Sequence, residues 1–276
     1  MKTLYISDLD GTLLQPNVEL SDKTIALLND LIKQGMLFSV ATARSIASVK
    51  TILKDVAIAL PIVLMNGVCI YDLNKNKYIK VETFSKESIA ALMSIISSHK
   101  LKGFAYTIKD GKMATYYEDL EAKPLRDFYE ERVNKYQKQF IQVENFTSLA
   151  KEPLIYFSLL DRKEQLEPIF HIVEAIPDLN CVLYKDNYSP DWWYLEIFSK
   201  HASKYHALQY LRTYLSLDFI VCFGDNQNDL PLFEASNHKL AVANAVAELK
   251  EKADEVILSN VEDGVATWLK QNVSYT

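Results

Sequence analysis

Two carboxylates separated by one residue close the first apolar run of the chain, Ile6-Ser7-Asp8-Leu9-Asp10-Gly11-Thr12-Leu13-Leu14. Leu4 to Ile6 reads as a buried strand, and ligands of open α/β sheets bind at the carboxyl ends of strands. Successive strand side chains alternate, so this spacing puts Asp8 and Asp10 on one side with Leu9 turned to the core. Two carboxylates that close raise each other's pKa unless a metal or a shared proton relieves them. Asp-Gly is also a common turn signal, which makes the pair readable as ordinary turn and cap residues. The other strand ends decide between the two.

A second acidic strand end stands far along the chain, where the apolar run Phe219 to Phe223 leads into Gly224-Asp225-Asn226-Gln227-Asn228-Asp229. Two intervening apolar runs end on Thr42 and on Asn66-Gly67, and a later helix opens with Lys204. Carboxylates, a hydroxyl and an ammonium then share one edge, with no histidine or thiolate among them. Such hard oxygen donors suit Mg2+, which takes a few carboxylates, keeps several waters and accepts a substrate phosphate. The chemistry implied is magnesium-dependent phosphoryl transfer. Taken singly, each residue has a plainer reading: Thr42 as a helix cap, Lys204 as a solvated charge, Asp229 as an acid at a helix N-terminus.

The elements that must hold these residues alternate. After the first strand, Ser21 caps a helix with Ile25, Leu28, Leu31 and Ile32 on one face and Gly35 as terminator. Leu37 to Ala41 is the next strand, a helix with Ile46, Val49, Ile52 and Leu53 follows, and Pro61 to Met65 is a third. Apolar strands alternating with amphipathic helices indicate βαβ units and a parallel sheet covered on both faces. Val68 to Tyr71 and Tyr78 to Val81 read instead as an antiparallel hairpin. Beyond it come a helix (Lys86 to His99), a hairpin turning at Lys109 to Lys112, and a charged helix around Asp127 to Lys138. A strand (Leu154 to Leu160), a helix (Glu164 to Ala175) and strands near Cys181 to Tyr184 and Trp193 to Phe198 complete this region. Parallel texture returns with a helix from Lys204 and runs to a closing helix from Gly264. The fold class is therefore α/β: a doubly wound, Rossmann-like parallel-sheet core with an inserted α+β domain. Residues 1–83 and 199–276 are assigned to the core and 84–198 to the insert.

The 276 residues and 49% hydrophobic content can fill a sizeable core, and the net charge of -6 argues against a general nucleic-acid binder. Cys69, Cys181 and Cys222, an odd number set among Val, Ile and Leu, read as reduced core thiols of a cytoplasmic protein. No run approaches the roughly 18 apolar residues of a membrane span, and Asp8 and Asp10 interrupt the N-terminal apolar stretch.

Taken in order, these motifs resemble the haloacid dehalogenase superfamily, in its Cof-type phosphatase branch with a large α+β cap. The first is Asp8-Leu9-Asp10-Gly11-Thr12, the second Thr42 within Val40-Ala41-Thr42-Ala43-Arg44, the third Lys204, and the fourth Gly224 to Asp229. Asn66-Gly67, Ala241-Val242-Ala243-Asn244-Ala245 and Asp263-Gly264-Val265-Ala266 also resemble this branch. The likeness spans both core segments and matches the insert only in general architecture. It implies Asp8 as nucleophile, Asp10 as general acid and base, and Thr42 and Lys204 as partners of the transferring phosphoryl group. It implies Mg2+ on Asp8, Asp225 and the backbone carbonyl of Asp10, with Asn228 and Asp229 orienting metal waters and Lys204. Arg44, Asn66, Gly67 and Asn228 are further substrate-binding candidates, although a surface ion pair is an equal reading of Arg44. The sequence departs from the branch at Ala43 and Tyr205, where glycine is frequent.

The expected activity is hydrolysis of small phosphate monoesters, such as a sugar phosphate, a nucleotide or pyridoxal phosphate, with no nucleic-acid or membrane partner. A phosphomutase or phosphotransferase could use the same groups, and a non-catalytic metabolite-binding regulator is the alternative from another class. In the insert, period two puts Trp192, Tyr194 and Glu196 on one strand face. That face is either an aromatic wall for a substrate ring or, as the commoner case, core packing.

Overall fold

The computed structural model describes residues 1–186, 189 and 191–273. Contacts divide the chain into two units, Met1–Lys80 with Ser203–Thr276, and Val81–Ala202. In chain order the elements begin β1 (Thr3–Ser7), α1 (Asp22–Lys33), β2 (Leu37–Val40), α2 (Ile46–Ile52), β3 (Ile62–Leu64), β4 (Cys69–Asp72) and β5 (Lys77–Val81). The contiguous second unit holds α3 (Lys86–Ser98), β6 (Gly103–Lys109), β7 (Lys112–Tyr117), α4 (Lys123–Tyr136), β8 (Phe140–Gln142), β9 (Leu154–Asp161), α5 (Lys163–Glu174), β10 (Leu179–Lys185) and β11 (Trp193–Ser199). The chain then returns with α6 (Lys204–Leu215), β12 (Phe219–Gly224), α7 (Leu230–Glu234), β13 (His238–Val242), α8 (Ala247–Lys252), β14 (Glu255–Ile257) and α9 (Gly264–Asn272).

In the first unit a five-stranded sheet runs β14-β13-β12-β1-β2, parallel throughout. Leu4 and Ile6 of β1 and Ile220 and Cys222 of β12 are fully buried, as strands covered on both faces require. Helix α1 starts where Ser21 Oγ accepts from the Thr24 amide at 3.0 Å. Asp263 holds this corner from the far end of the chain, its Oδ1 accepting from Ser21 Oγ, Gln15 Nε2 and Thr24 Oγ1. The third expected parallel strand behaves differently. β3 meets the sheet through one parallel bridge, Ala41 to Val63, and then pairs antiparallel with β4.

In the second unit a six-stranded sheet runs β10-β11-β9-β6-β7-β8, with β7 and β8 its parallel pair. One face carries the core, where Leu92 and Ile96 of α3 and Leu166, Ile169 and Val173 of α5 pack on Phe157, Leu159, Leu195 and Ile197. Helix α4 lies on the other face, with the Phe128 ring 4.7 Å from that of Phe104 and the Tyr129 ring 4.9 Å from that of Phe140.

Several sequence expectations shift here for local reasons. α4 starts at Lys123, because Pro124 is at home in a first turn, and it stops at Tyr136 because Gln137 is left-handed at φ 51°. Lys138 therefore lies outside the helix, and the three-residue β8 after it was not anticipated. Trp192 precedes β11 and its ring lies 5.0 Å from the Arg162 guanidinium, so only Tyr194 and Glu196 share the expected face. Cys69 and Cys222 are buried and Cys181 half-buried, all three free, and burial pushes their thiols up, to about 12 for Cys181 and Cys222. No helix among the described residues is long and apolar enough to cross a membrane.

Candidate active site

The carboxyl ends of β1, β2 and β12 are adjacent, and each delivers residues of the set singled out above. β1 stops at Ser7, and the Asp8 amide donates to Phe223 O at 3.0 Å, which ties the first acidic turn to the end of β12. Lys204 stands at the first position of α6, behind the Ser203 cap, whose Oγ accepts from the His206 amide at 3.0 Å. Its ammonium donates to Asp8 Oδ1 at 2.7 Å and to Asp229 Oδ1 at 2.6 Å, and all three side chains are buried.

Asp229 is saturated. Besides Lys204 on Oδ1, its Oδ2 accepts from the amides of Asp225 and Asn226, at 3.0 and 3.2 Å. Asp225 Oδ1 accepts from Thr12 Oγ1 at 2.8 Å. Asp8, Asp225 and Asp229 each offer a carboxylate oxygen within 4.8 Å of the others. Among the described residues no hydrogen bond reaches Asp8 Oδ2 or Asp225 Oδ2. Those two oxygens, not the occupied Asp229, are the ones a hard cation would find open.

Asp10 does not follow the side-by-side expectation. The strand has already ended, Gly11 is left-handed at φ 75°, and the Asp10 side chain turns outward. Both its oxygens accept from Arg44, Oδ2 from Nε at 2.7 Å and Oδ1 from Nη2 at 2.6 Å, the bidentate fork that guanidinium geometry favours. The carboxylates that crowd Asp8 are instead Asp229 and Asp225.

Thr42 is buried at the end of β2; its Oγ1 accepts from the Arg44 amide at 3.1 Å and its carbonyl from the Asn66 amide at 3.0 Å. Met65, Asn66 and Gly67 form a turn with three successive positive φ values, 51°, 54° and 98°. Asn66 Oδ1 lies 3.5 Å from Asn228 Nδ2, the limit of a hydrogen bond, which brings these two candidates together. Gly67 abuts the backbone of Ser203 and Lys204, and Gly224 abuts the Asp229 side chain.

Burial raises Asp8 well above the usual carboxylate range; Lys204 offsets only part of this, and Asp229 and Asp225 add to it. Asp225 is pushed up to about 6, first by burial and then by Asp229. Burial would lower the Lys204 ammonium, but Asp229 and Asp8 outweigh it and hold it above the ordinary lysine value. Three desolvated carboxylates share the one ammonium of Lys204, which leaves the site short of positive charge, and Mg2+ fits the open oxygens of Asp8 and Asp225.

Three contributors were not singled out beforehand. Thr12 fixes Asp225; Asn244 Nδ2 donates to Gly11 O at 2.7 Å, and Asn260 Nδ2 to Leu14 O at 2.8 Å, pinning the loop that carries Asp10. The first two lay within motifs already noted, which was the available signal.

A family model described as haloacid dehalogenase-like hydrolase matches residues 5–269. A Bacillus subtilis phosphatase, YwpJ, is 29% identical over 293 residues, covering 98% of this chain and 99% of its own. A 5-amino-6-(5-phospho-D-ribitylamino)uracil phosphatase of the same organism is 27% identical over 290 residues, covering 99% of both. Among solved structures, the crystal structure of TM0651 from Thermotoga maritima superposes with a TM-score of 0.82 at 26% identity, covering 100% of this chain and 99% of its own.

Proposed function

The chain belongs to the haloacid dehalogenase-like hydrolases, and on that premise we propose that it is a Mg2+-dependent phosphatase of small phosphate monoesters working through a phosphoaspartyl intermediate. The observation that carries this reading is the Lys204 ammonium held between Asp8 and Asp229, with the open Asp225 oxygen beside it. Asp8 attacks phosphorus through its carboxylate, and the bond to the leaving oxygen breaks as Asp10 delivers a proton to it. Asp10 then takes a proton from water, whose oxygen attacks the phosphoaspartate and releases phosphate and free Asp8. Arg44 gives up or shares its hold on Asp10 for these transfers.

Lys204 and Thr42 stabilise the charge of the transferring group, and Asn66, Gly67 and Asn228 border it. Asp8, Asp225 and the Asp10 carbonyl would hold the metal, with Asp229 fixing Lys204. When bound, Mg2+ supplies charge neutralisation for the phosphate and for Asp8. A small phosphorylated metabolite suits the relative named for a phosphorylated ribitylaminouracil, and three free thiols suit the reducing cytoplasm.

The test is phosphate release from a panel of phosphorylated metabolites, with Mg2+ and with chelator, for the wild type and Asp8→Asn. A few preferred substrates lost under both controls support the reading. Turnover that survives Asp8→Asn removes the nucleophile assignment.

A further inference from the structure

Lys138 of the second unit is only 9% exposed, yet its ammonium has no hydrogen-bond or ion-pair partner among the described residues. The backbone explains how it came there. Gln137 ends α4 in the left-handed region, the Lys138 amide closes the turn on Arg132 O at 3.1 Å, and the side chain falls over the sheet. Nζ lies 4.4 Å from the Tyr106 ring centre, 5.1 Å from that of Phe140 and 5.8 Å from that of Phe128.

The row of the sheet beneath it is set by register: Tyr106 of β6 faces Thr115 of β7, and Thr115 faces Phe140 of β8. Thr115 thus sits between two rings of the cage. Its hydroxyl is buried and has no partner.

Aromatic faces attract an ammonium, but by less than the cost of taking an isolated charge out of water. Burial, with the Arg132 guanidinium adding to it, pulls Lys138 down to about 7. Elsewhere the chain pairs its buried lysine, as Lys204 shows with two carboxylates. Here the acids of the neighbourhood are engaged otherwise: Glu131 with Arg132, and Glu196 with the Tyr184 hydroxyl at 2.9 Å. A buried donor cation over two rings whose sheet row also holds a buried unpaired hydroxyl lacks one thing, an oxygen acceptor with negative charge.

We propose that Lys138 and Thr115, walled by Tyr106, Phe128 and Phe140, bind the oxyanion group of a small molecule, a phosphate or a carboxylate, within the second unit. The site uses none of the residues assigned to hydrolysis, and it stands or falls without that assignment.

The experiment is thermal unfolding of the full chain, wild type beside Lys138→Met and Thr115→Val, alone and with inorganic phosphate or succinate as probes. Without a probe, Lys138→Met is expected to melt at or above the wild type, because it replaces an unpaired charge by an apolar chain of similar length. A probe is expected to raise the wild-type midpoint, to leave Lys138→Met unmoved and to shift Thr115→Val less. Phosphate acting alone identifies a phosphoryl group as the ligand, and succinate acting alone a carboxylate. The proposal is overturned if neither probe shifts the wild type, if both variants shift as the wild type does, or if Lys138→Met melts lower or fails to fold while Thr115→Val keeps the full shift. Those last results make the caged ammonium a structural element.

Discussion

Gly67 packs directly against the carbonyl of Ser203, the residue before Lys204. A Cβ at Gly67 would meet that carbonyl and come within 2.9 Å of the Lys204 amide nitrogen, and both obstacles are backbone. The turn is also tied to β2 through Met65 N to Arg44 O and Asn66 N to Thr42 O, at 3.2 and 3.0 Å. Gly67→Ala is therefore expected to push the start of α6 away and cut kcat on an aryl phosphate by about 100-fold, the cost of a misplacement near 1 Å. Combined with Lys204→Ala, it should add little to the loss caused by Lys204→Ala alone. Steady-state rates of the two single variants and the double variant check this; multiplicative losses would refute action through the lysine.

Lys204→Ala leaves Asp8 and Asp229 buried without their cation. Removing one member of a buried ion network costs roughly 3–5 kcal/mol, so urea unfolding should show a loss of that order together with loss of turnover. A lysine that was merely a solvated charge would show neither.

Asp225 titrates near 6 in the folded chain, against about 3.9 for an unfolded aspartate. Between those values the folded state keeps a proton that the unfolded state has released, so this residue's contribution makes stability fall as pH rises from about 4 to 6. Asp225 is partly exposed, which discounts the effect to about 1–2 kcal/mol. Metal-free Asp225→Asn should therefore melt above the wild type at pH 7, and Mg2+ should raise the wild-type midpoint and not that of the variant. Melting curves at pH 4, 5, 6 and 7, with chelator and with Mg2+, read both effects.

Asp263 binds three donors at the start of α1, and its other oxygen lies 3.5 Å from Lys23 Nζ. Its carboxyl is held below the usual range, because those hydrogen bonds outweigh burial. Asp263→Ala should cost about 2–3 kcal/mol at neutral pH, and its stabilisation should fade as pH drops below the ordinary aspartate value. Chemical denaturation at pH 7 and pH 3 measures the difference.

The parallel rhythm of strands and helices was legible because strands buried on both faces read as unbroken apolar runs, as in Leu4 to Ile6 and Phe219 to Phe223. Asp8, Asp225 and Lys204 could be gathered in advance because each stands at the end or start of such an element. Asp10 could be named but not aimed: strand periodicity was extended past Ser7, where the chain has already turned. The resemblance gave Asp229 the orienting of Lys204 and of metal waters; that two backbone amides fill its remaining oxygen is a fact of three-dimensional saturation that spacing does not reveal. Lys138 was invisible for a similar reason. It looked like one more charge at the end of a charged helix, and only the left-handed Gln137 turns it under the rings.

β1 is an inner strand of its sheet, between β2 and β12, and 196 residues separate Asp8 from Lys204. This gives the polypeptide an order of assembly during synthesis. The second unit is a continuous segment whose strands pair at short and middle range, so it can close as soon as it has emerged. β1 and β2 must meanwhile wait with an open edge until β12 is made, because non-local parallel pairing is slow and pays its loop-closure entropy first. A nascent chain halted before Phe219 carries one finished globule and one unsealed strand pair, and that pair is where aggregation during translation would begin.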